Sequence, residues 1–148
     1  MHRPTQLLPC FVGIFASFLA IDALWLFFVA GDMFKRDVGA ILREKPDFLA
    51  ALAFYVIYAA GLLALAVRPA LESRKAGDAV IKGAVLGFTA YATFDFTNLA
   101  IIKGWTLQLA LVDLAWGTIA SAFAAACGYA IGARVRVEAQ DRDATRQA

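Results

Sequence analysis

Residues Val80–Ile102 read VIKGAVLGFTAYATFDFTNLAII, an apolar run with a polar hexapeptide, Thr93-Phe94-Asp95-Phe96-Thr97-Asn98, set inside it. The run is long enough to cross a bilayer, but the aspartate resists that placement. An acid at the centre of a membrane helix costs at least about 2.5–3.5 kcal/mol on insertion scales, so it needs a partner, a proton or a function.

Three further apolar runs flank this one, near Leu7–Ala30, Phe48–Val67 and Leu107–Ala133. Each reaches the roughly 18 residues that a membrane helix requires. Of 148 residues, 61% are hydrophobic and 18% charged, whereas soluble domains are roughly 45–50% apolar. The chain is therefore expected to be all-α: a four-transmembrane-helix bundle forming one membrane domain over residues 1–133. The tail 134–148 is polar, lacks an apolar face and is expected to be disordered. The first run is longer than the about 7–15 apolar residues of a signal peptide and is followed by no small-x-small cleavage site, so it is expected to be a retained helix.

Fourteen lysines and arginines set the expected orientation. With four spans, the N-terminus, second loop and tail share one side and hold nine of them, and the positive-inside rule places both termini in the cytoplasm. Within the first loop, Phe34, Val38, Ile41 and Leu42 recur at helical spacing over Gly31–Lys45. This predicts a short amphipathic helix between spans one and two, lying in the headgroup plane. Pro46 and Asp47 are expected to open the second span from its first turn, and Arg68-Pro69 to close it. Ala70–Gly77 reads as a short charged loop, and Lys103-Gly104-Trp105-Thr106 as a tight turn that makes spans three and four antiparallel neighbours. Gly83 with Gly87, and Gly128 with Gly132, give small-xxx-small faces suited to close helix approach.

Three aspartates fall within predicted spans: Asp22, Asp95 and Asp113. At 1.5 Å per residue all three are expected roughly 9–12 Å below the outer edge of the apolar slab. Tyr55 falls in the same layer. Tyr91, Asp95 and Asn98 form an i, i+4, i+7 stripe on span three, and Asp113, Trp116 and Gly117 a similar one on span four. Turned inward, these faces would enclose an outward-facing acidic pocket of Asp22, Asp95, Asp113, Asn98, Tyr91, Trp116 and Tyr55. No lysine or arginine lies deep in a span, so the carboxylates must hold a proton or take a cation from outside the chain. The plainer alternative is a set of hydrogen-bonded clasps between helices, worth about 0.6 kcal/mol per contact. Trp25, nearer the outer edge, reads as an interfacial anchor. Asp22-Ala23-Leu24-Trp25 and Asp113-Leu114-Ala115-Trp116 are alike, a likeness read as local rather than as a duplication.

Other chemistry lacks its residues. The two cysteines, Cys10 and Cys127, sit in helical runs without metal spacing, and the single histidine is His2. No P-loop, dinucleotide fingerprint, nucleophile elbow or zinc signature occurs. Neither a cofactor nor a metal nor nucleic acid is expected.

Ile21-Asp22-Ala23-Leu24-Trp25, Phe54-Tyr55, Thr93 to Ala100 with Lys103-Gly104-Trp105, and Val112 to Gly117 together resemble a bacterial membrane family, domain of unknown function 2177. The resemblance covers nearly all of the chain except the tail. It implies a small, multi-pass, four-helix protein of the bacterial inner membrane and no particular activity. The leading expectation is therefore an inner-membrane protein that binds, and in an oligomer transports, protons, cations or a small cationic solute. The first alternative is a membrane enzyme acting on a lipid or amphiphile through paired carboxylates. The second is an accessory subunit whose aspartates dock a larger membrane partner.

Overall fold

In a computed structural model, residues 4–147 are described, with backbone alone for 4–6, 139–144 and 146–147. The described residues are mostly helical, without strands. Helix α1, Pro4–Trp25, runs through a π-helical turn, Leu26–Ala30, into α2, Gly31–Val38, and a 3-10 turn, Gly39–Ile41. After a loop comes α3, Phe48–Leu62, which passes through a second π turn, Leu63–Val67, into α4, Arg68–Ser73. Helices α5, Ala76–Ile101, and α6, Leu107–Gln147, complete the chain. Three helices are long and apolar enough to cross a membrane, over Leu7–Ile41, Phe48–Ser73 and Leu107–Glu138. Helix α5 is not among them: Thr89, Thr93, Asp95, Thr97 and Asn98 dilute its hydropathy.

Several local expectations need correction. Asp47 caps α3, its Oδ1 accepting from the backbone N–H groups of Leu49 and Ala50 at 3.2 and 3.1 Å. Pro46 lies ahead of the helix rather than in its first turn. Arg68-Pro69 does not end the second run. Proline lacks an N–H and crowds the carbonyl four residues back, and the π turn widens the helix just where that conflict arises, with Arg68 N–H bonding to Leu63 O. The helix stops instead at Arg74, whose left-handed φ of 60° breaks the ladder. The expected loop Ala70–Gly77 is thus mostly helix, and Ser73 Oγ donates to Asp78 Oδ2 at 2.6 Å to bind the corner. The tail expected to be disordered continues α6 to Gln147. Its alanines, glutamate, glutamines and arginines favour helix and no glycine or proline interrupts them, so a polar helix persists without an apolar face. Arg136 Nη2 also donates to Leu71 O at 2.8 Å, tying its start to α4.

The amphipathic helix of the first loop is present but shorter than expected, and its apolar side meets protein. Val38, 4% exposed, packs with Trp105, Leu109 and Ala110, and Met33 and Phe34 lean on the same cluster. Thr106 Oγ1 fastens it: the hydroxyl donates to Asp37 Oδ2 at 2.7 Å and accepts from Leu109 N–H at 3.1 Å, so one side chain caps α6 and holds α2. Gly104, at φ 98°, makes the turn between α5 and α6, and a Cβ there would come within 2.9 Å of Asp37 O. A glycine is required on both counts.

Helix α6 is the centre of the packing, with α5 on one side and α1 on another. Lipid tails are as apolar as leucine, so membrane helices associate through close fit and hydrogen bonds rather than apolar burial. Both features are present. Along α5, Gly83 faces Ala125 and Ser121, Gly87 faces Ser121 and Gly117, and the Tyr91 ring lies on Gly117. Residue numbers rise on one helix as they fall on the other, which makes the pair antiparallel. Helix α1 also runs antiparallel to α6, with Cys10 against Gly132 and Ile14 against Gly128. Phe18 of α1, 2% exposed, receives Phe54, Tyr55 and Tyr58 of α3 at ring separations of 5.0–6.3 Å.

A Cβ at position 87 would lie 2.5 Å from Gly117 O and Ser121 Oγ. Gly87→Val is expected to lower thermal stability in detergent by about 1–3 kcal/mol, the usual cost of overpacking. Thr106→Ala is expected to cost about 0.5–2 kcal/mol by loss of the cap. Melting temperatures followed by circular dichroism check both, and a Gly87→Val protein as stable as the parent would contradict the close α5–α6 contact.

Candidate functional site

A cavity of about 350 Å³ lies where α1, α2, α3, α5 and α6 converge. Asp22 and Asp113 supply its acids, and each is 7% exposed. Trp25, Phe34, Phe54, Tyr58, Tyr91 and Phe94 supply its rings.

Asp22 is held from two neighbouring helices. Tyr55 Oη of α3 donates to its Oδ2 at 2.7 Å, and Trp116 Nε1 of α6 donates to its Oδ1 at 3.1 Å. Both oxygens are thereby engaged, so Asp22 is a clasp as well as a cavity residue. Asp113 differs. No hydrogen bond to it forms among the described residues; the Trp25 indole N–H faces it, but Trp25 Nε1 stays outside the limits of a formed bond. A carboxylate 93% buried thus lines the cavity with its hydrogen-bonding capacity largely unspent.

The two Asp-x-x-Trp segments explain this arrangement. Because α1 and α6 are antiparallel, Trp116 arrives beside Asp22 and Trp25 beside Asp113, and the two indoles stack between them at 4.6 Å and 7°. Trp25, expected as an interfacial anchor, is instead a wall of the cavity, and its nitrogen is buried. Below the stack, Ser121 Oγ donates to Gly117 O at 2.6 Å. With that proton committed, the 2.6 Å contact of Tyr58 Oη with Ser121 Oγ has the tyrosine as donor.

Asp95, the acid of the polar hexapeptide in α5, is not in the lining of this cavity. The four-residue steps from Gly83 through Gly87 and Tyr91 bring it opposite Asp113, and the two carboxylates interact electrostatically. Asp95 is 0% exposed, and neither of its oxygens has a hydrogen-bond partner among the described residues. The indole of Trp105 faces it without forming one. Asn98, one turn on, is half-buried and also outside the lining. Of the seven residues expected in one pocket, Asp22, Asp113 and Tyr91 line the cavity, and Tyr55 and Trp116 bind its Asp22. Trp25, Phe34, Phe54, Tyr58 and Phe94 were missed as cavity residues. The likeness of the two Asp-x-x-Trp segments was the available signal for Trp25; the others look like ordinary apolar helix residues.

Residues 7–130 match the family described as predicted membrane protein (DUF2177). No curated protein matches the chain, and no solved structure does.

If Tyr55 grips Asp22, the cycle of Tyr55→Phe, Asp22→Asn and the double variant will give a coupling of about 0.6–1.7 kcal/mol, between the mean and the maximum found for hydrogen bonds between membrane helices. Denaturation in mixed micelles reads this value, and additive effects would rule the clasp out.

Proposed function

Since the chain belongs to the DUF2177 family of membrane proteins, we propose that α5 crosses the bilayer beside the three more apolar helices, and that the resulting four-span bundle binds a small cationic solute. At 1.5 Å per residue, the 26 residues of α5 extend about 39 Å, enough for the hydrocarbon core. Among its polar side chains Asp95 is wholly buried and Tyr91 and Asn98 are half-buried, while the exposed Thr89 and Thr93 hydroxyls donate to the carbonyls of Val85 and Thr89 in their own helix. The positive-inside count supports an orientation with both termini in the cytoplasm of a bacterial cell and with the cavity, near α2 and the α5–α6 turn, toward the outside.

The observation that carries the binding proposal is Asp113: a buried carboxylate, lining a cavity, without a formed hydrogen bond and with Asp22 as a second acid in the same wall. None of the cavity-lining residues is a lysine or arginine. An anion in low dielectric calls for a counter-charge, and a solute entering the cavity would bring it. In this scheme Asp113 forms the ion pair, Asp22 adds a second negative potential, and Tyr55 and Trp116 hold Asp22 in place. Asp95 acts from behind Asp113 rather than as a ligand. Movement of the solute across the bilayer would be a further property of the same site, and in so small a bundle it would call for more than one copy.

Purified protein in lipid nanodiscs is expected to gain thermal stability with a cation that fits. Ligand at a hundred times its Kd should contribute about 2.7 kcal/mol. Asp113→Asn should abolish that gain while leaving a folded protein, because the amide keeps the shape of the acid. If no cation among sodium, potassium, ammonium and organic amines stabilises the protein, or if Asp113→Asn responds like the parent, the cation site does not exist.

A further inference from the structure

The walls of the cavity restrict what kind of cation belongs in it. We infer that the occupant is a substituted ammonium group, held by Asp113 on one side and by aromatic faces on the others; this rests on the cation-binding reading above. Six of the ten lining residues are aromatic, and the remainder besides the two aspartates are Leu26 and Ala90. A bare metal ion needs oxygen donors in number, about six to eight for calcium, whereas here both oxygens of Asp22 are already occupied by Tyr55 and Trp116. Sodium or plain ammonium would have to shed water against rings that cannot replace it. A substituted ammonium spreads its charge under methyl or methylene groups, loses little hydration and gains cation–π attraction worth about 2 kcal/mol or more when desolvated.

The rings are positioned for this by one another. Trp25 is stacked on Trp116, Tyr58 lies edge-on to Tyr91 at 6.4 Å, Phe54 packs on Tyr58 at 5.6 Å, and both Phe34 and Phe94 stand edge-on to Trp105 at about 5.5 Å. Fixed rings make a preorganised cage, so little side-chain entropy is lost when a ligand enters. The volume agrees: about 350 Å³ is at the small end of the roughly 300–1,000 Å³ typical of small-molecule pockets. That is far more than one inorganic ion fills. The same chemistry is found in a free quaternary ammonium such as choline and in the headgroup of phosphatidylcholine.

Titration of the full-length protein in phosphatidylglycerol nanodiscs with tetramethylammonium, choline, ammonium and sodium separates the possibilities. Tetramethylammonium and choline are expected to bind at least about tenfold more tightly than ammonium or sodium, which corresponds to the cation–π contribution. Trp25→Leu and Phe54→Leu, each keeping apolar bulk but removing a ring, should each narrow that ratio at least about threefold. Two variants are used because Trp25 also stacks on Trp116 and its loss alone can disturb the fold. Equal binding of sodium, ammonium and tetramethylammonium would overturn the substituted-ammonium assignment while leaving the cation site standing, as would an unchanged ratio in both variants. Binding of none of the four, with no retained lipid, would overturn the cation site itself. Native mass spectrometry from mixed nanodiscs then tells the sources apart. Selective retention of phosphatidylcholine with inert free choline assigns a lipid headgroup, and binding of free choline assigns a solute.

Discussion

Two short hydrogen bonds to Asp22 join three helices. Tyr55 reaches it from α3 and Trp116 from α6, and the α1–α3 contact otherwise consists chiefly of apolar packing around Phe18. Among apolar helices in lipid, greasy surfaces match one another in many rotations and registers, and polar contacts select between them. Shifting α1 by one residue along α6 would turn Asp22 away from Trp116 and Trp25 away from Asp113. The cavity is a by-product of that register. The two acids and two indoles occupy the seam between α1 and α6, and the space they leave is closed by α3 and α5.

The α5–α6 side follows a different rule, close approach rather than hydrogen bonding. Gly83, Gly87 and Gly117 remove side chains so that backbones meet. The Tyr91 ring then lies on Gly117, and Asp95 continues the same stripe into a wholly buried position with no donor in bonding range among the described residues. One helix face therefore changes character along its length, from packing surface to cavity wall to buried acid.

Much of this was legible beforehand. Apolar run lengths marked the helices, small-residue spacing marked faces for close approach without naming their partners, and the agreement of Asp22, Asp95 and Asp113 in depth pointed to one layer, of which Asp22 and Asp113 line the cavity. Three things were not readable, each for a physical reason. Pro69 reads as a stop only if the helix keeps a regular ladder, and the π turn at Leu63–Val67 removes that premise. Trp25 is at anchor depth, and only the antiparallel crossing with α6 turns it inward onto Trp116. Asp95 shares a stripe with Tyr91, but the four-residue register directs it toward Asp113 and Trp105 instead of into the cavity. Rotation about a helix axis is set by partners distant in sequence, and periodicity alone does not contain it.

The glycine seam between α5 and α6 also constrains motion. A helix whose neighbour has side chains notched into its backbone cannot slide or roll without first separating, because each step of one residue sets a Cβ against a carbonyl. Helices α5 and α6 therefore behave as one stiff plate. Helix α3, by contrast, meets this plate mainly through its π turn, the Tyr58–Ser121 bond and the Tyr58 ring edge-on to Tyr91. Mechanically α3 is a post fastened to that plate, and the post carries Phe54 and Tyr58.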